Sequence, residues 1–379
     1  MSCQPSSIQL KLRALELGSI SLSPEELRYL KTTCTYLNDP YLRFLSAFRL
    51  RPAEQVKATF TASSNKGGDE ERGDVHLAVE GLWIDTILYE IPLLALVSEA
   101  YFKFCDTDWN HDDQEQEAFQ KGIKLLQHGC IFSEFGSRRR RDYHTQDLVI
   151  QGLKRAAEAV KESKAAGKLS GSSNVHFAMK HNLIPVGTVA HEWFMGIAST
   201  TNDYEHASET ALRYWVGCFG EGVLGIALTD TFGTPIFLNA FKKAVPHFTN
   251  AANGVASTLP SAAASTTPSP QSLAKTKPPL KAPIPDGAAD RMEQRSYAQV
   301  FSGVRQDSGD PKNFVKMMRE FYDKEGIKDK KIIVFSDSLN VEKCLEYKQV
   351  AEKAGFQPTF GVGTFLTSTW HHLYCHFLC

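Results

Sequence analysis

The chain has 379 residues, 42% of them hydrophobic and 22% charged, an ordinary globular composition long enough for two or three domains. Its 42 Lys and Arg stand against 43 Asp and Glu, so no global field draws it to nucleic acid or to an anionic membrane. No apolar run reaches the roughly 18 residues of a membrane span, and the start MSCQPSSIQLK lacks the apolar stretch of a secretion signal. The 8 cysteines form no CxxC pair, which fits reduced thiols in the cytoplasm, with the nucleus also open to the chain.

Ser23-Pro24-Glu25-Glu26 combines an N-cap, a proline at the first helical position and acidic first-turn residues. The spacing of Leu27, Leu30 and Cys34 then predicts helix toward Leu50. Val56 to Ala62 alternates as a strand, and His76 to Val79 is its predicted partner across the polar turn from Asn65 to Gly73. Gly81 to Cys105 reads as buried helix, with Pro92 predicting a kink or a break.

Short apolar segments then alternate with helices. Cys130–Phe132 precedes a helix from Thr145, and Ile184–Val189 precedes one from Trp193. Gly225–Leu228 precedes Pro235–Ala244, Val300–Val304 a helix from Lys312, and Lys331–Phe335 one from Asn340; Thr359–Val362 closes the series. Such alternation predicts βα units with a mostly parallel sheet, either open and doubly wound or closed as a barrel. Residues 246–296, rich in Ala, Ser, Thr and Pro, interrupt the series and read as a disordered surface insertion.

Four clusters fall at predicted strand ends or helix starts, where α/β proteins build their sites. Glu134-Phe135-Gly136-Ser137-Arg138-Arg139-Arg140-Arg141 places a tight turn beside guanidinium groups that can bind phosphate bidentately; a solvated charge run is the plainer alternative. Gly171-Ser172-Ser173-Asn174 can offer backbone N–H groups to an anion, or simply cap a helix. His191, in Gly187-Thr188-Val189-Ala190-His191-Glu192-Trp193, is a nucleophile only if a phosphoryl donor and an orienting group lie nearby. Arg305-Gln306-Asp307-Ser308-Gly309-Asp310-Pro311 can hold an anion and hydroxyls together, and also reads as a turn and helix start. Ser336-Asp337-Ser338 and Gly361-Val362-Gly363-Thr364 repeat this chemistry after the last two strands. Together they describe one face suited to a phosphorylated, hydroxyl-bearing small molecule.

EFGSRRRR, GSSNV, GTVAHEWFMG, VRQDSGDP, FSDSLN and GVGTFLT, in that order and spacing, resemble nicotinate phosphoribosyltransferases from about Glu25 to Thr367. The resemblance implies the irregular, TIM-like α/β barrel of the type II phosphoribosyltransferases with a second α/β domain. The division it implies is an N-terminal domain over 1–128, barrel segments over 129–245 and 297–367, the insertion, and an atypical tail over 368–379. The implied reaction joins nicotinate to 5-phosphoribosyl 1-diphosphate (PRPP), giving nicotinate mononucleotide and diphosphate in the salvage route to NAD. ATP is co-substrate, coupled ligase-fashion through a phosphohistidine, and Mg²⁺ travels with the phosphates.

By the resemblance His191 is the phosphorylated histidine, Arg305 holds the nicotinate carboxylate and Asp307 the ribose or its metal, with Ser308 beside them. Phe135 would stack on the pyridine, Arg138 bind phosphate, Thr188 hydrogen-bond nicotinate, and Gly363 and Thr364 form part of the 5′-phosphate site. Related nicotinamide enzymes carry an Asp where Ser173 stands; Ser173 removes a charge that would repel the substrate's carboxylate. No protein-only metal site is implied, no nucleic-acid or membrane partner, and a homodimer is compatible.

Two departures shape the expectations. The family's Tyr-containing segment covering the pyridine is missing before Ser23, and Ser368–Cys379 breaks the pattern. That His- and Cys-rich tail could be a metal site, but a terminus read out of frame or through an intron is favoured. The alternatives to an active enzyme are a truncated, non-catalytic ligand-binding homologue, or a phosphoribosyltransferase for another pyridine base.

Overall fold

A computed structural model describes residues 13–62, 73–161, 167–246 and 294–367. Helix α1 (Pro24–Thr33) opens on the capping box its sequence predicts: the Ser23 hydroxyl accepts from Glu26 N, and the Glu26 carboxylate accepts from Ser23 N. The helix does not run on to Leu50. It stops at Thr33, and α2 (Asp39–Ala47) starts afresh on the Asn38 cap with Pro40 in its first turn.

Strands β1 (Val56–Ala62) and β2 (Gly73–Val79) form the predicted antiparallel hairpin, in register from Val56↔Val79 to Ala62↔Gly73. The predicted turn between them lies outside the described residues. A short helix, α3 (Trp83–Thr86), and one 3₁₀ turn then lead into α4 (Glu90–Phe104). Pro92 sits in the first turn of α4, where its missing N–H has no intrahelical partner to lose, so the break precedes it. No helix among the described residues is long and apolar enough to cross a membrane.

After α5 (Gln114–Gln127) come the βα units: β3 (Ile131–Glu134), α6 (Tyr143–Ala159), β4 (Lys168–Ser172), α7 (Val175–His181), α8 (His191–Thr201), α9 (Ala207–Phe219), β5 (Ile226–Leu228) and α10 (Thr234–Phe241). β6 (Gly303–Gln306), α11 (Pro311–Lys324), β7 (Ile332–Phe335), α12 (Val341–Lys353), β8 (Gln357–Val362) and α13 (Thr364–Thr367) complete the series. The six strands are parallel in the order β4-β3-β8-β7-β6-β5.

That order decides between the two architectures. Neighbours follow the chain through β3-β4 and β5-β6-β7-β8, and the last strand returns to pair with the first, which is how a barrel closes. The ring is interrupted between β4 and β5. The strand predicted over Ile184–Val189 belongs in that gap but does not form; it reaches β4 through the single Ser172–Pro185 bridge, with Ser172 N donating to Ile184 O and Val186 N to Ser172 O, while Pro185 has no N–H to offer on its other edge. β4, whose last residues Gly171 and Ser172 the sequence placed at a helix opening, is the strand that carries the bridge.

The barrel's core is built mainly of apolar side chains. Phe132, Val304, Ile333, Phe335 and Phe360 on the strands pack with Val149, Leu153, Phe194, Leu212 and Met318 on the helices, all essentially excluded from solvent. Each such side chain contributes about 1.5–3 kcal/mol by leaving water. Smaller clusters around Tyr89 and Leu93, and around Leu30 and Leu42, stabilise the N-terminal elements.

The Ala/Ser/Pro-rich segment and the tail fall outside the described residues, but both ends of the former are fixed. Ala244 and Ser296 pair antiparallel; Val245 N donates to Arg295 O at 2.8 Å and Tyr297 N to Lys243 O at 3.0 Å.

Candidate active site

One node forms where the C-terminal ends of β5, β6 and β7 meet the start of α8. Arg305, next to last in β6, uses three of its five guanidinium N–H donors: Nε donates to Ser336 Oγ at 2.7 Å, Nη1 to Thr188 Oγ1 at 3.1 Å and Nη2 to Asp307 Oδ1 at 2.7 Å. Ser336, just past β7, also donates to Asp307 Oδ1 at 2.5 Å. The other Asp307 oxygen lies 3.2 Å from His191 Nε2.

Burial would raise the Asp307 pKa. The His191 hydrogen bond, the Arg305 charge and the Ser336 hydroxyl outweigh it and hold the carboxyl well below the usual carboxylate range. With Asp307 ionised, His191 Nε2 is the donor, and in the neutral ring Nδ1 keeps the lone pair, which accepts from Thr231 Oγ1 at 3.0 Å. His191 is the first residue of α8 and its side chain is 41% exposed, so the ring is oriented at both nitrogens yet accessible. Ser308 Oγ donates to Asp230 Oδ2 at 2.5 Å. Asp230 Oδ1 is buried without a hydrogen-bond partner, 3.8 Å from His191 Nε2.

A second node forms at the ends of β3, β4 and β8. Phe135 N donates to Val362 O at 2.8 Å, and its ring lies flush against Gly361, where a Cβ would stand 2.7 Å from ring carbon Cε2. Gly363 approaches the Phe135 carbonyl, and Thr364 opens α13. Ser173 N donates to Glu134 O at 2.9 Å and leaves its side chain exposed. Arg138 forms an ion pair with Glu90 of α4.

Beneath these groups Glu134 is 1% exposed and accepts from Gly136 N at 2.5 Å, Ser172 Oγ at 2.6 Å and Gln146 Nε2 at 2.9 Å. Burial pushes its carboxyl up, against the pull of those three donors and of the Arg140 charge. Arg140 in turn donates to Gln146 Oε1 and doubly to Glu99 Oε1.

The structure therefore joins Thr188, His191, Arg305 and Asp307 in one bonded chain with Ser308 alongside, and gathers Phe135, Ser173, Gly363 and Thr364 at neighbouring strand ends. Asp230 and Thr231 are the functional positions that sequence reasoning missed. They lie two and three residues past the end of β5, so the strand-end rule could have found them.

The family profile described as "Nicotinate phosphoribosyltransferase (NAPRTase) family" matches residues 130–255 and 274–377, and its N-terminal domain profile matches residues 7–98. This chain belongs to the nicotinate phosphoribosyltransferase family. The family match runs past Thr367 and begins before Glu25, the limits at which the sequence motifs placed the resemblance. A probable nicotinate phosphoribosyltransferase of Schizosaccharomyces pombe is 39% identical over 353 residues, 93% of this chain and 72% of that protein. The Saccharomyces cerevisiae nicotinate phosphoribosyltransferase is 38% identical over 336 residues, and there the chain spans 65% of its relative's length. The crystal structure of a putative nicotinate phosphoribosyltransferase from Saccharomyces cerevisiae superposes with a TM-score of 0.77 at 37% identity, covering 96% of this chain and 75% of the other. The α/β barrel reading of the topology thus agrees with solved structures in the nicotinate phosphoribosyltransferase family.

Proposed function

We propose that the chain transfers the phosphoribosyl group of PRPP to nicotinate in NAD salvage, with ATP hydrolysis coupled through phosphorylation of His191. The observation that carries this is the bonded chain Thr188–Arg305–Asp307–His191–Thr231, which links an anion-binding guanidinium to an oriented nucleophilic imidazole.

In this reading the bond from ribose C1′ to the diphosphate oxygen breaks while the pyridine nitrogen bonds to C1′, through an oxocarbenium-like transition state. Arg305 holds the nicotinate carboxylate, Thr188 adds a hydrogen bond, and Phe135 offers its ring to the pyridine. Ser173, neutral and exposed, admits a carboxylate that an acidic side chain would repel. Gly363 and Thr364 receive the 5′-phosphate. Arg138 reaches a phosphate by exchanging its partner Glu90, a swap of one anion for another.

The ATP step moves the γ-phosphoryl group of ATP to a ring nitrogen of His191 with release of ADP, and water later removes it as phosphate. Asp307 is what would connect the two reactions. It shares its oxygens between His191 and Arg305, so adding a dianion to the ring disturbs Asp307 and with it the guanidinium at the base site. The residues also fit a hard cation: the unpartnered, buried Asp230 Oδ1 and the ionised Asp307 are oxygen donors. Asp230 and Asp307 would hold Mg²⁺ together with substrate oxygens. When bound it neutralises charge on the departing diphosphate.

The test is nicotinate mononucleotide formation from nicotinate and PRPP, with and without ATP, by the chain and by its His191→Ala variant. The chain is expected to form product and ATP to stimulate it; the variant keeps basal transfer and loses the stimulation. ATP stimulation surviving in His191→Ala would exclude the phosphohistidine, and absence of product from the folded wild-type chain would exclude the activity.

A further inference from the structure

Trp83 reaches from the N-terminal elements onto the helix that presents His191. Its indole Nε1 donates to Glu192 Oε1 at 2.9 Å, next in sequence to the histidine. One turn further along α8 stands Gly196, and a Cβ there would lie 2.3 Å from Trp83 Cη2 and 2.4 Å from Cζ2. Only a residue without a side chain lets the indole lie this close. The Trp83 ring also sits 6.1 Å from that of Trp193, whose own Nε1 donates to Ala211 O of α9 at 3.1 Å.

α8 needs such a hold. Its N-cap, Ala190, makes no side-chain capping bond, and the segment before it is the gap in the barrel where the expected strand does not form. A helix start without a cap or a flanking ladder frays first. His191 is the first residue of that start, so whatever fixes the first turn of α8 helps to hold its ring between Asp307 and Thr231.

We propose that Trp83 is a positioning residue that clamps the first turn of α8 through Glu192 and Gly196 and so sets the accessibility and phosphorylation of His191. The clamp rests on the function proposed above for its phosphorylation arm alone. Among the described residues neither Trp83 nor Glu192 hydrogen-bonds to Arg305, whose partners are Ser336, Thr188 and Asp307, so the clamp acts on the phosphoryl step and not on the affinity for nicotinate or PRPP.

The test uses the full chain and two readouts. The first is the rate at which diethyl pyrocarbonate modifies His191, followed by peptide mass spectrometry, with His128 as internal control. The second is phosphohistidine formed from ATP. Trp83→Phe keeps the ring and loses the N–H; Glu192→Ala removes the acceptor; Glu192→Gln keeps an oxygen to accept.

Loss of a hydrogen bond to a charged acceptor predicts about a tenfold faster modification and about a tenfold slower phosphorylation in Trp83→Phe and Glu192→Ala. Wild-type behaviour is expected in Glu192→Gln, and ATP-free transfer is expected to stay within about twofold of wild type. The double variant Trp83→Phe/Glu192→Ala is expected to be no worse than either single one. Wild-type modification rates in both single variants would overturn the clamp. So would equal losses of ATP-dependent and ATP-free transfer, which mark a general structural role. Should Trp83→Phe fail to fold, the contrast between Glu192→Ala and Glu192→Gln decides alone. If the wild-type chain forms neither product nor phosphohistidine, the proposed function fails while the modification rates still judge the clamp.

Discussion

Two carboxylates stand at strand ends of the same parallel sheet and are built in opposite ways. Glu134 is sealed from water, and its three donors occupy its oxygens. Asp307 is half-buried and is shared among Arg305, Ser336 and His191, and the same imidazole lies 3.8 Å from Asp230 Oδ1, which has no hydrogen-bond partner. The first arrangement has no capacity left for a ligand and fixes the loop Phe135–Arg138 from below. The second has polar groups to spare and an exposed ring, and is the one able to change state. Carboxylates at strand ends are thus not equivalent: satisfaction separates scaffold from chemistry.

The largest effect should come from attacking the sealed carboxylate. Glu134→Ala leaves Gln146, Ser172 and the Gly136 amide without their acceptor, and is expected to cost about 3–5 kcal/mol of stability. Urea unfolding checks this, and a loss below 1 kcal/mol would mean that the network re-pairs.

Arg305→Ala attacks the other node. It is expected to raise the KM for nicotinate by about 30- to 100-fold, the scale of a charge-assisted hydrogen-bond pair, with a much smaller change for PRPP. Equal changes in both constants would remove Arg305 from the carboxylate site.

The smallest effect is also the one with a pH signature. Asp307 has a depressed pKa in the folded state, so the stability it confers is present above the ordinary Asp range and is lost as the pH falls through the depressed value. Asp307→Asn is expected to cost about 1–2 kcal/mol at pH 7, with the gap to wild type narrowing near pH 3. A gap that is the same at both pH values would show that charge is not what Asp307 contributes.

What the sequence disclosed follows from how local each signal is. Caps are written within four residues, so Ser23, Asn340 and Asp310 could be placed at helix starts directly, and all three cap as their neighbours dictate. Strands depend on their neighbours. Lys168-Leu169-Ser170-Gly171-Ser172 has the composition of a turn, and it becomes β4 because β3 lies beside it, with a register shift at Phe132/Ser133 to absorb the fit. Ile184–Val189 has the composition of a strand, yet it pairs with β4 only at the Ser172–Pro185 bridge, and Pro185 has no N–H for a neighbour on its other edge.

The site divides along the same line. His191, Arg305, Asp307 and Ser336 were visible because each follows a readable strand or opens a readable helix. Asp230 and Thr231 follow the three-residue β5, too short to draw attention to its own end. The Glu134 network was out of reach, since Gln146 and Glu99 acquire their meaning only once α6 and α4 are packed beside β3.

The pinned ends of the Ala/Ser/Pro-rich segment carry a consequence for how chains of this type vary. Val245 meets Arg295 and Tyr297 meets Lys243 through backbone bonds that close the circuit before the intervening chain begins. The entropy lost on closing a loop grows only with the logarithm of its length, so doubling the segment adds about 0.6 kcal/mol. The barrel therefore tolerates a change of length at this address while keeping its register elsewhere. A foreign sequence spliced between residues 255 and 274, the stretch that the family match skips, would leave these backbone bonds in place.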